Sequence, residues 1–213
     1  MRLREQRNSG LGLVEVLIVI ATIGFLLVYL SMLNTQPKAR ASRINCVSNL
    51  KQVGLAMRLF ANDHQEKLPW QVPEASGGTL ERPLNDPTLQ FLAFSNELTT
   101  PKILLCVDDK DRSRVSNFVG LSRANISYFI GLNASVSEPQ SILSGDRNVT
   151  GGSLSNSTLT LQITADRAGW GKKVHNRAGN IGLGDGSAQQ LTEQGLNRQI
   201  RSARGETVRF LLP

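Results

Sequence analysis

The sequence predicts an α+β protein, with one long N-terminal helix laid against an antiparallel β-sheet. Three observations carry that expectation. Residues 11–33 form an apolar run of 23 residues containing one charge, Glu15. Residues 38–62 then place apolar side chains at helical steps. From Pro69 onward, short strand-like runs alternate with turns rich in glycine, asparagine and aspartate.

The composition limits the function classes. The chain has 213 residues, with 24 Lys+Arg against 17 Asp+Glu, a net charge of +7 and a pI near 9.9. Hydrophobic residues make up 40%, so the chain is neither a disordered tail nor a polytopic membrane protein. Two cysteines are too few for a disulfide-scaffold mini-domain or a four-cysteine zinc module.

The apolar run comes first. At 1.5 Å per residue its length as a helix is about 35 Å, enough for a hydrocarbon core of roughly 30 Å. The preceding residues MRLREQRNSG hold Arg2, Arg4 and Arg7 against Glu5. That charge favours a cytoplasmic N-terminus and an exported C-terminal part. A cleaved secretory signal needs a shorter apolar core and a small-x-small site, and Val28-Tyr29-Leu30-Ser31-Met32 offers none. A plain signal anchor leaves Glu15 unexplained, because a carboxylate at mid-membrane costs about 2.5–3.5 kcal/mol on insertion scales.

Beyond Pro37, the residues Ile44, Val47, Leu50, Val53, Met57 and Phe60 recur at steps of three or four, a stripe suited to packing on a core. Pro37 can bend the helix where it leaves the lipid. Arg40 and Arg43 suit either lipid headgroups or a solvated face. The helix is expected to end near Asn62-Asp63-His64, since Leu68 precedes Pro69. In the remainder, residues 125–132, 141–144 and 159–164 read as strands. Residues 179–184 and 187–191 read as a hairpin around a two-residue Asp185-Gly186 turn.

A short basic leader, Gly10, the apolar Leu11 and a Glu at the fifth position counted from Leu11 together form the pattern of class III signal peptides. The N-terminus therefore resembles those of type IV pilins and type II secretion pseudopilins. It differs in having Leu11 where Phe is commoner, and Ser9 where Lys or Arg usually precedes the glycine. The run CVSNLKQVGLAMRLFANDHQEKLP, then Leu105-Cys106-Val107-Asp108-Asp109, then His175 followed after nine residues by Asp185-Gly186, extends the similarity. These segments resemble bacterial pilin-like proteins of the H-x9-DG type, and the likeness covers nearly the whole chain.

The resemblance implies a pilin-like fold divided into a leader (1–10), a transmembrane helix (11–36) and an exported domain (37–213). The exported domain would comprise a helix over 38–63 and a β-rich part over 64–213 that holds the 175–186 motif. It further implies cleavage between Gly10 and Leu11 by a prepilin peptidase and N-methylation of Leu11. Glu15 would pair with the terminal amine of a neighbouring subunit. The implied partners are the peptidase, other pilin-like subunits, an inner-membrane assembly platform and membrane lipid. The implied location is a single pass in the inner membrane with the C-terminal domain in the periplasm, followed by entry into a secretion pseudopilus or type IV pilus-like filament. The competing reading is a membrane-anchored exported binding protein or hydrolase that never polymerises.

In an oxidising compartment Cys46 and Cys106 either bridge the helix to the globular part or remain two buried thiols, and the compartment favours the bridge. A hydrolase or metal site would join His175 to Asp185, Asp166 or Asp146. No HExxH, GxSxG or P-loop spacing accompanies them, so His175, Asp185 and Gly186 are read as structural and the chain as no enzyme. Asp108, Asp109 and Asp111, with Glu97, are weak candidates for calcium, without EF-hand spacing. No cofactor is expected. The basic residues Lys172 and Lys173 and the arginines between positions 198 and 209 come without aromatic interleaving or a nucleic-acid motif, which argues against nucleic acid.

Overall fold

A computed structural model describes residues 12–33, 37–155, 157–203, 205 and 207–213. The expected leader 1–10 with Gly10, Leu11 after the expected cut, and residues 34–36 lie outside the described residues. The chain divides between Ala41 and Ser42 into two units.

In the first unit, α1 (Leu13–Leu33) is a helix of 21 residues. Its aliphatic side chains are unburied; Leu13, Ile20, Phe25 and Leu27 are all more than half exposed. The hydroxyls of Thr22 and Ser31 donate back to the carbonyls of Val19 and Val28 at 2.8 and 2.7 Å. Such bonds keep polar side chains satisfied in an apolar surrounding. By length and composition α1 suits a single-pass anchor or a signal sequence.

α2 (Pro37–Asp63) supplies the second unit with its core helix from Ser42 onward. Cys46, Leu50, Val53, Met57 and Phe60 are buried at steps of four, three, four and three. Ile44, placed in the core stripe by its spacing, is 65% exposed. It stands two residues, about 200° of helical turn, from Cys46, so one helix face cannot hold both.

Two short helices follow, α3 (Pro87–Ala93) and α4 (Ser95–Leu98). Asp86 caps α3 by accepting from the Thr88 N–H at 2.8 Å, with Pro87 at the first helical position. The strands are β1 (Tyr128–Gly131), β2 (Ile142–Asp146), β3 (Val149–Thr150), β4 (Ser153–Ser155), β5 (Thr160–Thr164), β6 (Gly169–Trp170), β7 (Gly179–Leu183) and β8 (Ala188–Leu191). After β8 come α5 (Glu193–Ser202) and β9 (Thr207–Leu211).

Seven strands form one antiparallel sheet in the order β4-β5-β9-β1-β2-β7-β8, while β3 and β6 pair separately. Side chains alternate between two cores. Tyr128, Ile130 and Leu143 pack with α2, whereas Phe129, Ile142, Ile181 and Phe210 pack with Leu196 and Ile200 of α5. Helices on both faces explain why β1, β2 and β7 are buried at every position while the edge strand β4 is exposed. The consequence for β2 is decisive, because its last residue, Asp146, is a carboxylate with no exposed surface.

Candidate functional site

The β7–β8 hairpin carries one half of the His175/Asp185-Gly186 motif. Its loop has three residues, Gly184, Asp185 and Gly186, rather than the two expected. The Gly186 N–H donates to the Leu183 carbonyl at 2.9 Å, and the Leu183 N–H donates to the Ser187 carbonyl at 2.8 Å. Gly186 has φ 83°, the left-handed position of this turn type. Asp185 accepts from the Ser187 N–H at 2.8 Å, and the Ser187 side chain, then that backbone bond, hold its carboxyl below the usual range. Arg58 of α2 donates to the Gly184 carbonyl at 2.8 Å. A Cβ at Gly54 would lie 3.6 Å from the Gly186 Cα, so helix and hairpin approach closely there.

His175 lies elsewhere. It sits beside Cys106, which is bonded to Cys46, eight residues or about 12 Å before Gly54 along α2. The motif thus marks the two ends of β7 and does not bring His175 to Asp185. Nor does Asp166 join His175; it pairs with Arg201 on the surface.

His175, Asn176 and Arg177 all adopt positive φ, at 55°, 47° and 63°. Three consecutive non-glycine residues in this region need external support. Asn148 provides it, its amide donating to the carbonyls of Gly171, Val174 and Ala178 at 3.0, 2.7 and 3.1 Å. Arg43 of α2 donates to the His175 carbonyl at 2.9 Å. The imidazole is thereby turned inward, with 1% of the side chain exposed.

Three groups surround the ring. Asp108 Oδ2 is 2.8 Å from Nδ1, at ion-pair distance but off the line of a directed hydrogen bond. The same oxygen accepts from the Ser42 hydroxyl at 2.7 Å. Cys106 Sγ is 3.3 Å from Nε2, and Asp146 Oδ2 is 3.5 Å from it. Burial lowers the pKa of His175, and the Asp108 carboxylate opposes that shift.

Asp146 accepts from the Asn180 backbone N–H at 2.7 Å and from the Asn180 amide at 2.8 Å, both on Oδ2. Among the described residues, its buried Oδ1 has no hydrogen-bond partner, and the buried Tyr128 hydroxyl lies on the residue opposite in β1. Burial pushes the Asp146 carboxyl up to about 8 against the bonds from Asn180. Burial, then the nearby Asp146, likewise pushes the Tyr128 phenol well above its ordinary value.

Cys46 and Cys106 form a disulfide with Cα atoms 5.2 Å apart, within the usual span. Both are fully buried. The Asn49 amide donates to the Leu105 carbonyl at 3.1 Å and so fastens the same segment to α2 a second time.

Calcium at the weak candidates Asp108, Asp109 and Asp111 is not supported. Asp109 makes a bidentate pair with Arg147 at 2.6 and 2.7 Å, and Asp111 is held by Lys173 at 2.8 Å and Arg147 at 3.1 Å. Lys173, then Arg147, keep the Asp111 carboxyl below the usual range. With Asp108 committed to His175 and Ser42, the three carboxylates face cations and donors of their own chain and leave no open oxygen cage. Ligand atoms of Cys46, Cys106 and His175 lie within 4.8 Å of one another, but both sulfurs are joined in the disulfide and are not thiolate ligands.

The sequence offered no sign that Cys106 and His175 meet, since 69 residues separate them. The sequence reading names none of the supports Arg147, Asn148 and Asn180. An open groove of about 450 Å³ beside β4 carries Arg209 and no histidine, cysteine or carboxylate, so it brings no acid–base pair together. No protein-family model, no curated protein and no solved structure matches this chain.

Proposed function

We propose that the chain is a pilin-like structural subunit, cut after Gly10 by a prepilin peptidase, methylated on Leu11 and assembled into a pseudopilus or type IV pilus-like filament. The observation that carries the reading is Glu15, the one charge in an otherwise apolar and unburied helix. A carboxylate in lipid costs about 2.5–3.5 kcal/mol at a helix centre and less toward the ends, and calls for a partner. In α1 its Oε2 accepts from the Gly12 N–H at 3.0 Å, which satisfies one of the free donors at the helix start. A neighbouring subunit's Leu11 amine, a full positive charge, is a stronger partner, and exchanging one for the other would drive lateral packing of the apolar helices.

In this reading the protein acts mechanically. The α1 helices form the filament interior, the domain from Ser42 onward forms its exterior, and the Cys46–Cys106 bridge keeps the exterior sheet fixed to α2. The subunit waits in the inner membrane with its N-terminus cytoplasmic and works with an assembly platform, without a cofactor.

Glu15→Ala is the test. The variant should lose its leader as the native chain does yet be absent from sheared filaments, with loss of at least ten-fold by immunoblot. Native levels of the variant in filaments would contradict the proposal and favour an anchored protein that does not polymerise.

A further inference from the structure

We propose that His175 is the base that closes this chain's own disulfide, with Asp108 holding its charge: Nε2 takes the Cys106 thiol proton and so makes the sulfur that attacks Cys46. The geometry supports the assignment. Nε2 is 3.3 Å from Cys106 Sγ, and Nδ1 is 2.8 Å from Asp108 Oδ2, giving the order thiol, imidazole, carboxylate. This is the arrangement that activates a cysteine nucleophile. Here the completed disulfide occupies the sulfur, so the reaction it fits is the intramolecular one.

The chemistry balances with a small-molecule disulfide, RSSR, as oxidant. The Cys46 thiolate attacks RSSR, forming Cys46–S–SR and releasing one RS⁻, which carries off the Cys46 proton as RSH. The Cys106 proton then passes to His175 Nε2 as the Cys106 sulfur attacks Cys46 Sγ. The Cys46–SR bond breaks, the second RS⁻ leaves, and it takes the proton from His175. Two thiols and one RSSR become one disulfide and two RSH.

The charged groups around the ring are compatible with each step. Burial keeps the imidazole neutral, the form that accepts a proton. Asp108 from the 105–112 loop stabilises the imidazolium once it forms. Asp146 of β2 is protonated below about pH 8, so at neutral pH it sets no full negative charge beside the new thiolate. Asp109 is neutralised by Arg147, and Arg43 of α2 binds the His175 carbonyl rather than the ring. General-base assistance of this kind is worth about 10²–10⁴-fold in rate.

The experiment follows closure in the full chain in detergent micelles. The protein is reduced, freed of reductant and mixed with saturating oxidised glutathione. It is then acid-quenched, and mass spectrometry separates the glutathione mixed disulfide from the closed form. Native closure should have a pH midpoint at least about one unit below the ordinary thiol value of 8.5. His175→Gln should slow closure at pH 7 at least ten-fold and return the midpoint to about 8.5, and Asp108→Asn should fall between. A native midpoint at or above 8.5, which needs no variant to observe, would overturn the proposal. Equal rates and equal profiles in native and His175→Gln proteins would do the same.

Discussion

Asp146→Asn should abolish a fall in stability that the native chain shows between about pH 6.5 and pH 8. The native carboxyl titrates near 8 in place of its ordinary 3.8, because β2 is covered on both faces. Between those values the folded state holds a proton that the unfolded state has released. Its stabilising contribution is complete below the unfolded value and is lost as pH rises through the folded one, by about 1.4 kcal/mol per pH unit. His175 works in the opposite sense. Its folded value lies below 6.5, so the unfolded chain binds the extra proton there and stability rises with pH up to about 6.5. Above that point Asp146 dominates, and unfolding free energy should drop by about 1–1.5 kcal/mol by pH 8, the slope flattening as the folded carboxyl itself titrates. Asparagine keeps an oxygen for the two Asn180 bonds and has no proton to lose. Its unfolding free energy should therefore be flat across this window and should equal or exceed the native value at pH 8. Denaturant titrations at several pH values measure both, and an unchanged slope in the variant would show that Asp146 is not the titrating group.

Replacing both cysteines by serine should lower the unfolding free energy by about 4 kcal/mol, the loop-entropy value for ends 60 residues apart. The bridge joins α2 to the loop that also carries Asp108, Asp109 and Asp111. The loss should therefore appear as a lower denaturant midpoint in the double variant and equally in native protein kept reduced. Asn49 and the buried contacts of Leu50, Val53 and Met57 remain, so the sheet should still form at low temperature. A change below about 1 kcal/mol would mean that packing alone fixes the helix to the sheet.

Parts of this arrangement could be read directly from the chain. Uninterrupted aliphatics with one carboxylate specify an apolar helix whatever surrounds it, and Asp185-Gly186 between alternating runs specifies a hairpin. Where local pattern was ambiguous, the reading failed. Both Ile44-Val47 and Cys46-Leu50 fit helical spacing, and only the partner surface decides which is buried. α5 has two buried aliphatics, Leu196 and Ile200, and a glycine in its first turn, too faint a signature beside so many polar residues. The site was the least legible part. An aspartate at a strand end ordinarily faces water, and Asp146 is enclosed only because β9, β1, β2 and β7 lie between two helices. The contact of His175 with Cys106 likewise depends on the tertiary path, on three left-handed residues and on an asparagine 27 positions earlier.

The central claim is that residues 1–10 are a leader and residue 11 the first of a filament subunit. It is tested most directly by the N-terminal sequence and intact mass of the protein extracted from its own cell membrane. The expected result is a chain beginning at Leu11 with one added methyl group on its amine. A chain that still begins at Met1, or one cut after the apolar helix, would contradict it.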